Sequence, residues 1–266
     1  MTRLTLVACT VLVLASATPA LAQPQAFRDC ARCPEMVSLP AGSPGPDASG
    51  YPRLAPIKAF AMGRYEVTRD EFTAFVAEVG HGGGICQPGE VELKWCNLPF
   101  SQTGQDPVVQ VELQDAQAYA DWLSRKTGKV YRLPTDDEWD YAARTSNSTD
   151  RHLRSNDRTA CQLGNLADRT FALSYGSADV FDCTDGFANT APVGTFRPNG
   201  FGLYDMVGNA WEWTAACAER DGGEPCARYF MRGGAWDTAA SAFRTGLRLG
   251  AEAPVFYIGF RVARSL

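Results

Sequence analysis

The stretch Gly202-Leu203-Tyr204-Asp205-Met206-Val207-Gly208-Asn209-Ala210-Trp211-Glu212-Trp213 decides how the chain is read. Short apolar runs are broken by glycines, a pattern of short strands and tight turns. The same pattern continues in YFMRGGAW (229–236) and YIGFRVA (257–263). Asp205 and Glu212 can offer carboxylates here, and Gly208 and Ala210 can offer backbone carbonyls. A hard cation takes several such oxygens on an irregular loop. The other reading is that the two acids only cap turns.

Upstream, regular structure is easier to see. Glu35–Pro40 (EMVSLP) and Ala59–Val67 read as strands, with a loop rich in Gly, Pro, Ser and Asp over 41–56 between them. Thr68-Arg69-Asp70-Glu71 is a capping box. Its hydroxyl takes the third helical N–H while the glutamate reaches back. Phe72, Phe75, Val76 and Val79 follow at helical spacing, and Gly80 stops the helix. A second helix starts near Gln114, carries Ala116, Tyr119, Ala120 and Leu123 on one face, and ends at Gly128. Thr135-Asp136-Asp137-Glu138 is another capping box and opens a third helix through Trp139 to Arg144. Residues 145–200 keep no period and are full of turn formers, so staples or ions are needed to order them. There is no internal repeat and no interdomain linker. The reading is one α+β domain with little regular secondary structure and 266 residues to build it from.

Residues 1–22 (MTRLTLVACTVLVLASATPALA) read as a cleavable secretory signal: Arg3, an apolar run too short for a comfortable membrane span, then Ala20-Leu21-Ala22. Leu6-Val7-Ala8-Cys9 has the look of a lipobox but lies too early. The mature chain, 23–266, is then expected in the periplasm or outside the cell, with no membrane attachment after cleavage. Its net charge moves from −5 to −6 as Arg3 leaves, which excludes nucleic-acid binding by bulk electrostatics. Eight cysteines remain, and an even count in an exported chain favours disulfides. Their clustering suggests pairs 30–33, 86–96, 161–183 and 217–226, among 105 pairings that the count allows. The C-x-x-C at Cys30 has a redox reading, set against its place near the mature N-terminus, where a staple is expected. His81 and His152 cannot build an imidazole metal centre. Asn147-Ser148-Thr149 is a glycosylation sequon.

Several motifs occur in one order: CPEMVSLPAG (33–42), GRYEVTRDEFTAFV (63–76), VYRLPTDDEWDYAAR (130–144), PVGTFRPNGFGLYDMVGNAWEWT (192–214), MRGGAW (231–236) and IGFRVAR (258–264). Together they resemble the formylglycine-generating enzyme, or sulfatase-modifying factor, family across nearly all of the mature chain. The resemblance implies a variant of the C-type-lectin fold in a single domain. It also implies oxidation of a sulfatase cysteine to formylglycine, with oxygen and a copper(I) ion held by two cysteines just after the R-G-G motif. Soft thiolates select that ion. The matching positions here are Thr238 and Phe243. Neither supplies a thiolate, so copper is not expected. Cys217 and Cys226 are the nearest substitutes by sequence.

By resemblance, calcium is expected at Asp205, Gly208, Ala210 and Glu212, and at a second site formed by Asn165, Leu166, Asp185 and Phe187. The family's substrate groove corresponds to Trp236, Asp237, Thr238, Ser241 and Arg244. Trp236 and Arg244 either grip an aromatic or acidic ligand, or belong to the core and a local ion pair. Three functions stay open. One is an exported modifying or maturation enzyme working without the copper pair, as in relatives that mature a siderophore chromophore. A second is a silent lectin-like binding or scaffold module. The third is formylglycine generation with relocated thiols. The substrate, a peptide or a small molecule, is unknown, and a monomer is expected.

Overall fold

The structure, a computed structural model, describes residues 26–43, 56–80, 95–144, 153, 155–219, 226–243, 247–253 and 255–266. The expected signal segment, Cys86, the sequon and Arg244 lie outside them. Among the described residues no helix is long and apolar enough to cross a membrane.

The first described elements are two antiparallel strands, β1 (Ala26–Phe27) and β2 (Met36–Leu39), followed by β3 (Phe60–Gly63). Strand β1, ahead of the strand expected at Glu35–Pro40, lies at the edge of its sheet. The strand expected to reach Val67 stops at Gly63. Past that point the backbone bonds elsewhere: Arg64 N–H donates to Glu35 and Val67 N–H to Phe260. This turn carries Glu66 into the interior, where it is 1% exposed.

Helix α1 (Arg69–Val79) begins at the predicted box: Thr68 Oγ1 accepts from Glu71 N–H at 3.2 Å, and Glu71 accepts from Thr68 N–H at 3.0 Å. Gly80 closes it in the left-handed region. Val79, expected on the buried face, is exposed at the last turn. Helix α2 (Leu113–Thr127) starts one residue earlier than expected, because Glu112 N–H is capped by Asp115 at 3.0 Å. After β4 (Tyr131–Arg132), helix α3 (Asp136–Ala143) again opens on a capping box, Thr135 with Glu138. The stretch expected to lack regular structure holds a 3-10 turn (Ala160–Gln162) and a helix, α4 (Arg169–Tyr175). Helix α4 escaped the period test because none of its residues is buried. Asp168 caps it, accepting from Phe171 N–H at 2.9 Å.

The last third supplies β5 (Trp211–Glu219), β6 (Arg228–Arg232), β7 (Arg248–Ala251), β8 (Ile258–Gly259) and β9 (Ala263–Ser265). One sheet runs β1-β2-β3-β9-β4, antiparallel throughout; the other runs β7-β6-β5-β8, with β5 and β8 parallel. Strand β9 sits between β3 and β4, pairing Arg264 with both Ala61 and Tyr131. The fold is a single mixed domain of helix and sheet, as the sequence predicts.

The main core is aromatic. Phe72, Phe75, Tyr119, Trp122 and Phe260 pack with centroids 5.3–6.3 Å apart, mostly edge-to-face or tilted. Burying each such side chain is worth about 1.5–3 kcal/mol. A buried ion cluster ties α3 to β6: Arg232 binds Asp136 through Nε and Nη2, each at 2.6 Å, and reaches Asp140 at 3.2 Å. Burial opposes ionisation of Asp136, but Arg232 and Arg248 outweigh it and hold the carboxyl below its ordinary pKa. Among the described residues, disulfides join Cys30–Cys33, Cys161–Cys183 and Cys217–Cys226, as expected; the expected pair 86–96 includes Cys86, which lies outside them.

Candidate functional site

The GLYDMVGNAWEW turn folds inward. Asp205, Gly208 and Asn209 all adopt positive φ, at 57°, 75° and 61°. A Cβ on Gly208 would stand 1.9 Å from the Asn165 carbonyl oxygen, so only glycine fits. Asn209 is the hub. Its Oδ1 accepts from Ala191 N–H at 2.9 Å and Asn165 Nδ2 at 3.1 Å, and its Nδ2 donates to Glu66 at 2.6 Å. Glu66 also accepts from Ala210 N–H at 2.9 Å. Glu212 accepts from Trp139 Nε1 at 2.6 Å and from Arg261 at 2.7 and 2.5 Å.

Three carboxylates, Glu66, Asp205 and Glu212, thus share one buried guanidinium, that of Arg261. The charges do not balance. Burial, then the neighbouring Asp205 and Glu212, push the Glu66 carboxyl well above its ordinary pKa. Burial also raises Asp205 to about 6, against the Gly194 N–H and Arg261. Asp205 Oδ2 accepts from Gly194 N–H at 2.7 Å, but Oδ1 is buried with no hydrogen-bond partner. Such an oxygen is costly to leave unpaired, and a divalent cation would satisfy both it and the excess negative charge. Asp205 and Glu212 come together as the sequence suggested. Glu212, however, already has both oxygens in an ion pair. Glu66 and Arg261 were not singled out in the sequence; the signal was a charged residue inside each of two apolar strand patterns, RYEV and GFRV.

The second expected site also converges. Asp185 accepts from Leu166 N–H at 2.9 Å and Phe187 N–H at 2.8 Å, and its own N–H donates to Asp168 at 2.5 Å. Burial, reinforced by Asp168, raises Asp185 to about 7 against those two N–H donors. Asn165 donates through Nδ2 to Asn189 O at 2.7 Å, while its Oδ1 is buried and unpartnered. The orphan amide oxygen and the Asp185 carboxylate are donors of the hard-cation kind, while Leu166 and Phe187, expected to offer carbonyls, meet Asp185 through their N–H groups. The disulfide Cys161–Cys183 closes the same loop, so Cys161 offers no thiolate beside Asp168 and Asp185.

The groove residues divide. Gly234 has φ 80°, and a Cβ there would meet the Phe243 ring at 2.6 Å. Phe243 instead lies flat in the interior, 1% exposed, edge-on to Phe181 at 5.8 Å. Thr238 Oγ1 accepts from Ala235 N–H at 2.9 Å. Ser241 donates to Asp179 through its hydroxyl and, at 3.0 Å, through its backbone N–H. Where the resemblance places two thiols there is therefore a spent hydroxyl and a core ring. Trp236 takes the core reading: it is 3% exposed, beneath Phe100, Phe171, Tyr175 and Phe256, with centroids 5.6–6.1 Å away. Its Nε1 donor is buried and unpartnered.

Those covering rings form an aromatic shelf. Phe100, Phe171 and Phe256 are half-buried and Tyr175 is exposed. Asp237 follows Trp236 directly. Burial raises its carboxyl to about 6, opposed only by its own backbone N–H. The Asp237 charge in turn adds to the burial that raises Tyr257, which packs on Phe256 at 5.4 Å. A carboxyl that titrates near neutrality beside aromatic surface can move a proton on a bound ligand.

Comparison with known proteins agrees with this layout. A family model described as "Sulfatase-modifying factor enzyme 1-like domain" matches residues 22–266. The chain is 33% identical over 229 residues to the formylglycine-generating enzyme of Mycobacterium tuberculosis, covering 68% of this chain and 73% of that one. It is 36% identical over 255 residues to the "Inactive C-alpha-formylglycine-generating enzyme 2" of Bos taurus, covering 77% of each. Among solved structures, PvdO from Pseudomonas aeruginosa superposes with a TM-score of 0.70 at 33% identity, over 93% of this chain and 100% of that one. Motif order, two-sheet architecture and matched length together place this chain in the sulfatase-modifying factor family.

Proposed function

We propose that the protein is an exported modifying or maturation enzyme of this family that works without the copper cysteine pair. Its ligand is an aromatic-bearing peptide or small molecule held on the shelf over Trp236. The observation that carries this reading is the half-buried Asp237 carboxyl, raised to about 6, next to Trp236 in the chain and felt by Tyr257 at the edge of the shelf, with no partner but its own N–H among the described residues. In this reading Phe171, Tyr175 and Phe256 stack the aromatic group, and Asp237 accepts or returns a proton. Calcium is proposed as a structural ion at Asp205, with Glu66 and Glu212 close by, and at Asn165 with Asp185. It supplies positive charge to buried oxygens and takes no part in the reaction. Relocated thiols find no support, since Cys217 and Cys226 are joined to each other.

A silent binding module is the second reading. It is favoured by Phe243, which fills the place of a family thiol, and by the similarity to a relative named as inactive. One substitution separates the two. Asp237→Asn keeps the shape and removes the titration. Trp236 fluorescence on addition of aromatic amines, phenols and tyrosyl peptides measures binding. The enzyme reading predicts conversion of a bound compound by the wild type, with a pH profile breaking near 6, and loss of that conversion in D237N with binding retained. Equal binding by both proteins and no conversion by either supports the silent module.

The same variant has a stability signature. The native Asp237 keeps its proton to about pH 6, whereas the unfolded chain releases it at the ordinary carboxylate pKa near 4. Stability from this group is therefore lost as pH rises from about 4 to about 6. Tm of D237N, relative to wild type, rises over that interval.

A further inference from the structure

We propose that Cys30–Cys33 is an exchangeable redox disulfide, with Cys30 as the attacked sulfur, acting on a dithiol of a peptide or small molecule. This site is separate from the aromatic shelf and does not depend on it. Three observations carry the proposal.

The first is asymmetry. Cys33 is fully buried in the main core, while Cys30 is half-buried at its edge. The two share a tight turn, with Cys33 N–H donating to Cys30 O at 3.1 Å. One sulfur is thus within reach of solvent and the other is sheltered, the arrangement a C-x-x-C pair needs if attack is to be directed to one side.

The second is charge. Arg28 Nη1 donates to the Cys33 carbonyl at 2.6 Å, which fixes a guanidinium against the turn. Arg32, between the cysteines, is exposed. Arg28 also pairs with Glu35 at 3.2 Å, a carboxylate it shares with Arg64; cationic neighbours of this kind favour a departing thiolate.

The third is space. A cavity of about 710 Å³ opens beside the turn, lined in part by Arg28, Arg32, Glu35, Tyr65, Asp70 and Gln105. Neither sulfur lines it; three of its lining residues, Arg28, Arg32 and Pro34, belong to the chain segment that carries the two cysteines. Its wall carries both signs of charge, suited to a polar peptide segment.

The exchange balances as follows. A partner thiolate attacks Cys30 Sγ; the Cys30–Cys33 bond breaks and Cys33 leaves as a thiolate. The partner's second thiolate then attacks the mixed disulfide and expels Cys30. The partner loses two electrons and two protons and gains an S–S bond; Cys30 and Cys33 gain them as two thiols. A low-molecular-weight disulfide returns the pair to its starting state by the reverse steps.

The test uses the full mature, oxidised protein in graded glutathione buffers, with acid quench, alkylation and peptide mass spectrometry. The proposal predicts that Cys30–Cys33 opens at a reductant level at least tenfold below Cys161–Cys183 and Cys217–Cys226. Cys33→Ser is expected to trap glutathione on Cys30, and Cys30→Ser to trap far less on Cys33. Oxidation of one equivalent of a reduced dithiol peptide by the wild-type protein gives an independent readout if a variant misfolds. Opening of Cys30–Cys33 no earlier than Cys161–Cys183, or failure to oxidise the peptide, overturns the proposal.

Discussion

The half of the molecule built on α1, α2 and the two sheets and the half built on residues 153–210 are held by different matter. The first closes on hydrocarbon: Phe72, Phe75, Tyr119, Trp122 and Phe260 pack ring against ring. The second closes largely on oxygen. Its helix α4 buries no residue, its apolar cluster is small, and its segments meet through Asp168, Asp185, Asn165 and Asn209. A chain segment without a periodic apolar face cannot be held by a core of its own, so polar groups and a disulfide take that role, and the proposed calcium would add to them. The site lies along the seam. Asp205 belongs to the oxygen half, and Glu66, Glu212 on β5 and Arg261 reach it from the hydrocarbon half.

The largest effects come from breaking each half at its centre. Phe72→Ala is expected to cost about 3–5 kcal/mol as a cavity in the aromatic core. Arg261→Met is expected to cost a similar amount, about 3–5 kcal/mol, by leaving buried carboxylates uncompensated. Urea unfolding measures both. The comparison predicts that added calcium recovers part of the Arg261→Met loss and none of the Phe72→Ala loss. Equal response to calcium breaks the distinction between the halves.

A smaller effect tests the staple. Replacing Cys161 and Cys183 by serine releases a loop with a sequence separation of 22, and chain entropy sets the cost at about 3 kcal/mol. The separation of 3 in Cys30–Cys33 makes its removal cheaper, about 2 kcal/mol by the same relation. Thermal melts of the two double variants should rank in that order. Smallest of these is Thr68→Ala at the start of α1, about 1 kcal/mol for a lost cap.

The same contrast explains what the sequence revealed. Caps and periods are local, so α1, α2 and α3 were legible within one or two residues, from Thr68, Gly80, Gly128 and Thr135. Local cysteine spacing likewise identified three disulfides. Helix α4 was not legible, because between its Asp168 cap and its Gly176 stop it has no buried face to set a period. The strand expected to reach Val67 failed for a related reason. Glu66 follows an apolar pattern in sequence, yet its carboxylate serves Asn209 and Ala210, over 140 positions away. Phe243 could be read as a departure from the family, but its role as a plug against Gly234 depends on a backbone φ that composition does not reveal. Resemblance identified Asp205 and Glu212; only the fold shows that Arg261 already holds Glu212.

The central functional claim is that this member of the family has exchanged the thiol chemistry of its groove for an aromatic shelf with one titrating carboxyl. The most direct measurement incubates the oxidised wild-type protein with copper(I), oxygen, a thiol reductant and a sulfatase-type cysteine peptide, beside an active formylglycine-generating enzyme as control. Peptide mass spectrometry reads the product. The account predicts no formylglycine from this protein while the control converts the peptide. Formylglycine formed catalytically, with many turnovers per protein, would contradict it.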